Sequence, residues 1–96
     1  MRAPIRLRPQ EPSDFEALYQ IDQACFPAGI AYPRRALRWF LQTPGSLCLV
    51  VQAGTDIVGF VIAEQDGQRG HIITLDVLPA HQRRGLGTTL LQAAEQ

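Results

Sequence analysis

Three apolar runs, "SLCLVVQA" (46–53), "IVGFVIAEQ" (57–65) and "HIITLDVLP" (71–79), follow one another with only "GTD" and "DGQRG" near their junctions. Each is rich in Val, Ile and Leu and is bounded by Gly and Asp, which reads as strand, turn, strand. Turns this short cannot return the chain to a parallel start, because a parallel crossover needs about a dozen residues or more. The runs must therefore form an antiparallel hairpin over residues 46–65, extended by a third strand into a meander. Gly59, inside the second run, marks a bulge or a close approach of backbone to a neighbour.

The remaining segments must pack on that meander. "PIRLRPQ" alternates Ile5 and Leu7 with Arg6 and Arg8, the period of a half-buried first strand closed by Pro9. Ser13 followed by Glu16 has the spacing of a capping box, and Phe15, Leu18, Tyr19 and Ile21 recur near helical spacing, so a helix is expected over 13–25. "FPAGIAYP" interrupts it with two prolines. Pro33 suits a first helical position and "TPG" a stop, so "RRALRWFLQ" between them reads as a second helix with its arginines in solvent. "LGTTLLQAAEQ" is a third, with Leu86, Leu90 and Ala93 or Ala94 on one side. The expected order is β1-α1-α2-β2-β3-β4-α3, an α/β chain with a mixed, mainly antiparallel sheet.

Composition narrows what such a chain can do. With 96 residues, zero formal net charge and 46% hydrophobic residues, it fits one small folded domain with a modest core. The neutral balance argues against a general nucleic-acid or membrane-surface binder, although Arg34-Arg35 and Arg83-Arg84 can meet an anion locally. Cys25 and Cys48 form no C-x-x-C and have no histidine at ligand spacing, so neither zinc nor a disulfide is expected. Both read as small buried hydrophobes. No signal-like or membrane-length apolar run occurs, and a cytoplasmic protein is expected. The sequence stops inside the last helical segment without a glycine or asparagine C-cap, so a partial domain is expected over 1–96, its last strand an open edge through which a second copy could pair.

The chemistry concentrates in "HQRRGLGTTLL", residues 81–91, where a strand passes through a glycine-containing loop into a helix. N–H groups at a helix start lack internal partners and sit at the positive end of the helix dipole, which suits a phosphate or pyrophosphate. Gly85 and Gly87 permit close approach, and Arg83 and Arg84 add charge. A dinucleotide fingerprint fails because Leu90 stands at its third glycine, and a Walker A loop fails because the chain contains no lysine. Taken alone, the two glycines are equally compatible with a plain strand-to-helix turn.

The longer span "VLPAHQRRGLGTTLL" resembles the acetyl-CoA signature of the GCN5-related N-acetyltransferase (GNAT) family. That pattern is Val at a strand end, a following proline, Gln or Arg, two variable residues, Gly, one residue, and Gly or Ala. Val77, Pro79, Gln82, Arg83, Arg84, Gly85, Leu86 and Gly87 match it. The element order is similar to the N-terminal two thirds of the family fold, truncated before its C-terminal strands. "DFEALYQIDQACFP" is similar to the first helix of the RimI-type branch, which acetylates protein N-termini.

The resemblance implies direct transfer of an acetyl group from acetyl-CoA, the cosubstrate, to a primary amine on a protein N-terminus, a lysine or a small molecule, without a metal. It implies that the main chain of Leu75, Asp76 and Val77 meets the cofactor, that Gln82 belongs to the cofactor-binding residues, and that Arg83, Arg84, Gly85, Leu86, Gly87 and Thr88 bind the pyrophosphate. Chemistry requires a proton acceptor for the amine and a donor for the developing oxyanion. His71, eleven residues before Gln82, is the candidate base, with Asp76 and Glu64 as lesser ones. His81 reads as a surface or ligand-rim residue, and Tyr19 and Tyr32 are poor candidates for the acid, because the family's tyrosine donor lies in a later helix. The alternative is a non-catalytic module that binds CoA or a partner.

Overall fold

The computed structural model describes residues 4–66 and 69–95, with the main chain alone for residues 66, 69, 83 and 84. Its elements are β1 (Ile5–Pro9), a 3-10 turn (Pro12–Asp14), α1 (Phe15–Cys25), α2 (Arg34–Gln42), β2 (Ser46–Ala53), β3 (Asp56–Asp66), β4 (Arg69–Val77), a second 3-10 turn (Pro79–Arg84) and α3 (Leu86–Ala94). The strands form one antiparallel sheet in the order β1-β2-β3-β4. This is the expected α/β order. Part of the expected "DGQRG" turn, residues 67 and 68, lies outside the described residues.

Strand side chains alternate between faces, and the sheet carries a core on each. Val50, Phe60 and Ile62 pack with Phe15, Leu18 and Ile21 of α1 and Leu37 of α2. On the opposite face Val51, Ala53, Val61 and Val77 pack with Leu86 and Leu90 of α3. Leu18, Leu37, Phe60 and Leu90 are fully buried. α1 and α2 therefore cover one face of the sheet and α3 covers the other.

Two irregularities decide which side chains reach which face. Val51 pairs with Gly59 but Gln52 with Ile57, so Val58 is an extra residue; its carbonyl accepts the Leu78 N–H at 2.9 Å. Gly59 marks this bulge and is also a close approach, since a Cβ there would lie 2.9 Å from the Asp76 carbonyl oxygen. On β4, Ile62 pairs with Thr74 but Ala63 with Ile72, leaving Ile73 as the extra residue. That second bulge reverses the alternation, so the register sets His71, Thr74 and Asp76 opposite Glu64, Ile62 and Phe60, on one face.

Several local expectations change. The capping box belongs to Glu11 and Asp14 rather than Ser13 and Glu16: the Glu11 N–H donates to Asp14 Oδ2 at 2.8 Å, and α1 begins only at Phe15. The Pro12 ring favours the tight turn that precedes the helix. Pro33 caps α2 instead of opening it. Among its arginines, Arg34 pairs with Glu16 and lies 4.1 Å over the Tyr19 ring, while Arg38 lies 4.1 Å over Phe15. Their heads remain exposed, but the flat guanidinium planes cover α1. Cys25 and Cys48 are free and half-buried against the core rather than fully buried, and burial pushes the Cys48 thiol up to about 12.

β1 also departs from the half-buried pattern. Ile5 and Leu7 are 40% and 37% exposed, because they lie on the α3 face beyond the reach of the short helix. Arg8 is the partly buried residue instead. Its guanidinium donates to both carboxylate oxygens of Asp14, at 2.8 and 3.1 Å, and its Nε donates to Gln52 Oε1 at 2.9 Å. This fork ties the outermost strand to the entry of α1, and the hydrogen bonds from Arg8 hold the Asp14 carboxyl below the usual carboxylate range.

Candidate active site

The site is built at the C-terminal end of β4, an edge strand among the described residues. The Asp76 carbonyl faces β3, beside Gly59. Main-chain groups alternate in direction along an antiparallel strand, so those of Leu75 and Val77 face the open edge. The Val77 carbonyl confirms this direction: it accepts from the Gln82 side-chain amide at 3.0 Å and from the Cys25 thiol at 3.2 Å. Gln82 thus clips the loop to the strand end. Of the three residues whose main chain is expected to meet a cofactor, Leu75 and Val77 direct theirs to the open edge and Asp76 directs its toward β3.

After Val77 the chain makes the 3-10 turn over Pro79–Arg84, with the His81 N–H donating to Leu78 O at 2.8 Å, and reverses at Gly85 with φ of 74°. That left-handed residue ends the turn and starts α3. The first helical bond is Thr89 N–H to Gly85 O at 3.1 Å, reinforced by the Thr89 hydroxyl on the same oxygen. The N–H groups of Leu86, Gly87 and Thr88 precede it and converge at the helix end. Chain neighbours aside, no described atom lies within 4 Å of a Cβ built at Gly85, and one at Gly87 would only touch Val77 Cγ2 at 4.0 Å. Among the described residues nothing fills the space beside Gly85, which fits a phosphate or pyrophosphate. The expected contribution of the Arg83 and Arg84 side chains lies outside the described side chains.

On the α1 side of β4, the Asp76 side chain is 1% exposed and meets Asp22 of α1. Burial, then the hydrogen-bond contact with Asp22, pushes the Asp76 carboxyl up to about 8. A carboxyl that holds its proton at neutral pH is a poor general base. Next to it a cavity of about 260 Å³ is lined by Phe26, Ile30, Tyr32, Ile73 and Thr74.

Comparison with known proteins settles what this arrangement belongs to. The acetyltransferase (GNAT) family model matches residues 15–96. The chain belongs to that family. It is 28% identical over 94 residues to the N-terminal acetyltransferase complex ARD1 subunit homolog of Dictyostelium discoideum, covering 95% of this chain and 46% of that protein. In fold it is similar to the ribosomal-protein-S18-alanine N-acetyltransferase of Escherichia coli, with a TM-score of 0.84 at 21% identity, over 94% of this chain and 56% of that one. It is also similar to Arabidopsis thaliana NAA60, solved with a bisubstrate analogue, with a TM-score of 0.75 at 24% identity, over 94% of this chain and 64% of that one. The chain thus spans about half the length of the curated relative it matches.

Within this GNAT chain the other expected site residues are spread out. His71 is exposed and paired in register with Glu64, three register positions and roughly 10 Å along the sheet from Leu75, a gap that intervening water would have to bridge. Tyr19 packs against Phe15 and Tyr32 against Phe40, both on the core of the α1 and α2 face. His81 is half-buried in the loop. Among the described residues no group of three or more His, Cys, Asp or Glu side chains is placed to hold a metal ion, and no helix is long and apolar enough to cross a membrane.

Asp22 is the residue that sequence reasoning passed over. Its signal was present: Phe15, Leu18 and Asp22 stand at i, i+3 and i+7, so the acid falls on the buried stripe of α1. An acid on an inward stripe needs a buried partner, and Asp76, alternating with Thr74 toward the same core, was the available one.

Proposed function

We propose that this chain carries the acetyl-CoA site of an N-acetyltransferase and that the acceptor is the α-amino group of a polypeptide. The observation that carries the reading is the junction of an open strand edge, at Leu75 and Val77, with a glycine-reversed helix start, at Gly85 to Thr88. The helix-start N–H groups of Leu86, Gly87 and Thr88 would hold the pyrophosphate, and the edge main chain of Leu75 and Val77 would align the pantetheine arm by strand-like hydrogen bonds. Bound there, acetyl-CoA supplies an activated acyl thioester. The chain supplies main-chain N–H donors for a developing oxyanion and the partly apolar cavity beside Thr74 as the approach for the amine.

The choice of a protein N-terminus is supported by two of the relatives, one an N-terminal acetyltransferase complex subunit homolog and the other a ribosomal-protein-S18-alanine N-acetyltransferase. The test is calorimetric titration with acetyl-CoA, CoA and NAD, followed by mass spectrometry of peptides incubated with acetyl-CoA. Binding of acetyl-CoA and CoA but not NAD, with acetylation confined to the free α-amine, is the expected result. CoA binding without any transfer would establish the non-catalytic module instead, and absence of CoA binding would remove the site.

A further inference from the structure

Asp22 and Asp76 meet in the interior between α1 and β4, 0% and 1% exposed. Asp22 Oδ2 accepts the Tyr32 N–H at 2.7 Å, and Asp76 Oδ1 accepts from the Thr74 hydroxyl. The other two oxygens, Asp22 Oδ1 and Asp76 Oδ2, are buried and have no donor. Asp22 nevertheless lies close enough to be, after burial, a cause of the raised Asp76 carboxyl. Two carboxylates have only acceptors, and their like charges repel strongly away from water. One proton between them removes the repulsion and satisfies both orphaned oxygens together.

The surroundings favour that proton. β3 sets Phe60 opposite Asp76 and Ile62 opposite Thr74, both fully buried. From α1 the facing groups are Asp22 and the Cys25 thiol, which donates to Val77 O and is itself pushed up by burial and by Asp76. α2 contributes apolar Leu37 and Phe40 to the same core. The far ends of the pair reach both walls of one cavity: Tyr32, held by Asp22, and Thr74, held to Asp76, line the space of about 260 Å³ beside β4.

We propose that Asp22 and Asp76 share a single proton and so latch the connection between α1 and α2 to β4, holding the cavity in shape, and that removal of the proton in alkaline solution releases the latch. Both are positioning residues. Loss of the proton leaves two adjacent carboxylates, whose repulsion separates Tyr32 from the strand. The significance for an amine acceptor rests on the acetyltransferase reading, whereas the shared proton is observable without any substrate.

Infrared difference spectroscopy of the full chain tests the proton directly. At neutral pH the wild type should show the C=O stretch of a protonated carboxylic acid, absent from Asp76→Asn and titrating away in alkaline solution. A wild type without that band at neutral pH overturns the proposal. Hydrogen exchange at the Tyr32 amide tests the latch. After correction for intrinsic exchange, its protection in wild type should fall by up to about tenfold per unit as pH rises from the ordinary aspartate range to the transition and level off above it, and should stay flat in Asp76→Asn, whose amide donates without titrating. The same slope in both proteins overturns the latch. Should Asp76→Asn fail to fold, Asp22→Asn makes the same comparison, since its carbonyl can accept from Tyr32 while its NH₂ donates to Asp76. Failure of acetyl-CoA to bind would leave both results standing.

Discussion

Gly85 sits at φ of 74° with no described atom beyond its chain neighbours within 4 Å of a built Cβ, so conformation demands glycine there. Gly85→Ala should cost about 1–2 kcal/mol, the penalty of a side chain in the left-handed region, read as a lowered urea midpoint with an unchanged slope. Gly87 differs: it lies inside α3, where a Cβ makes only an ordinary contact with Val77. Gly59 differs again, because a side chain would meet a carbonyl oxygen at 2.9 Å. In the sequence Gly85 and Gly87 read alike, as room for a ligand, and Gly59 offered either of two reasons. The separation comes from φ and from neighbours distant in the chain, neither of which a residue name carries.

At the scale of elements, the meander was readable because the turns between its strands are too short for any other pairing. The bulge at Ile73 was not readable, since "HIITLDV" alternates equally well without it. The consequence falls on the candidate base: unbroken alternation would set His71 on the face opposite Asp76, and the bulge returns it to the same one. The start of α3 yields a test that separates site from fold. Thr88 is exposed in the first turn, where a carboxylate favours the helix dipole by about 0.3–1 kcal/mol. Thr88→Glu should therefore keep or raise stability while weakening acetyl-CoA binding by about tenfold or more, equivalent to about 1.4 kcal/mol, because the new charge faces the phosphates. Thr88→Gln is the neutral control. Equal affinity of the Glu and Gln variants would show that no phosphate sits at this helix end.

For the molecule as a whole, two carboxyls shape the pH profile in opposite senses. Asp14, lowered chiefly by its hydrogen bonds from Arg8, contributes stability that is present above the ordinary aspartate range near 4 and lost as pH falls through its folded value. Asp76, raised chiefly by burial, contributes stability that is full below that range and is lost as pH rises to about 8. Unfolding midpoints measured across pH should thus decline on both sides, with Asp14→Asn flattening the fall below the ordinary aspartate range and Asp76→Asn the fall between that range and about 8. A profile unchanged by either substitution would contradict these assignments. The sequence by itself determined the element order, the antiparallel meander and the strand-loop-helix motif at residues 77–88, because period, turn length and motif spacing are local properties. Only the tertiary structure decided that Arg8 grips Asp14, that Asp22 meets Asp76 and that Leu75 and Val77 turn their main chains to the open edge. Those outcomes depend on register and bulges, which bring together residues that local patterning treats as independent.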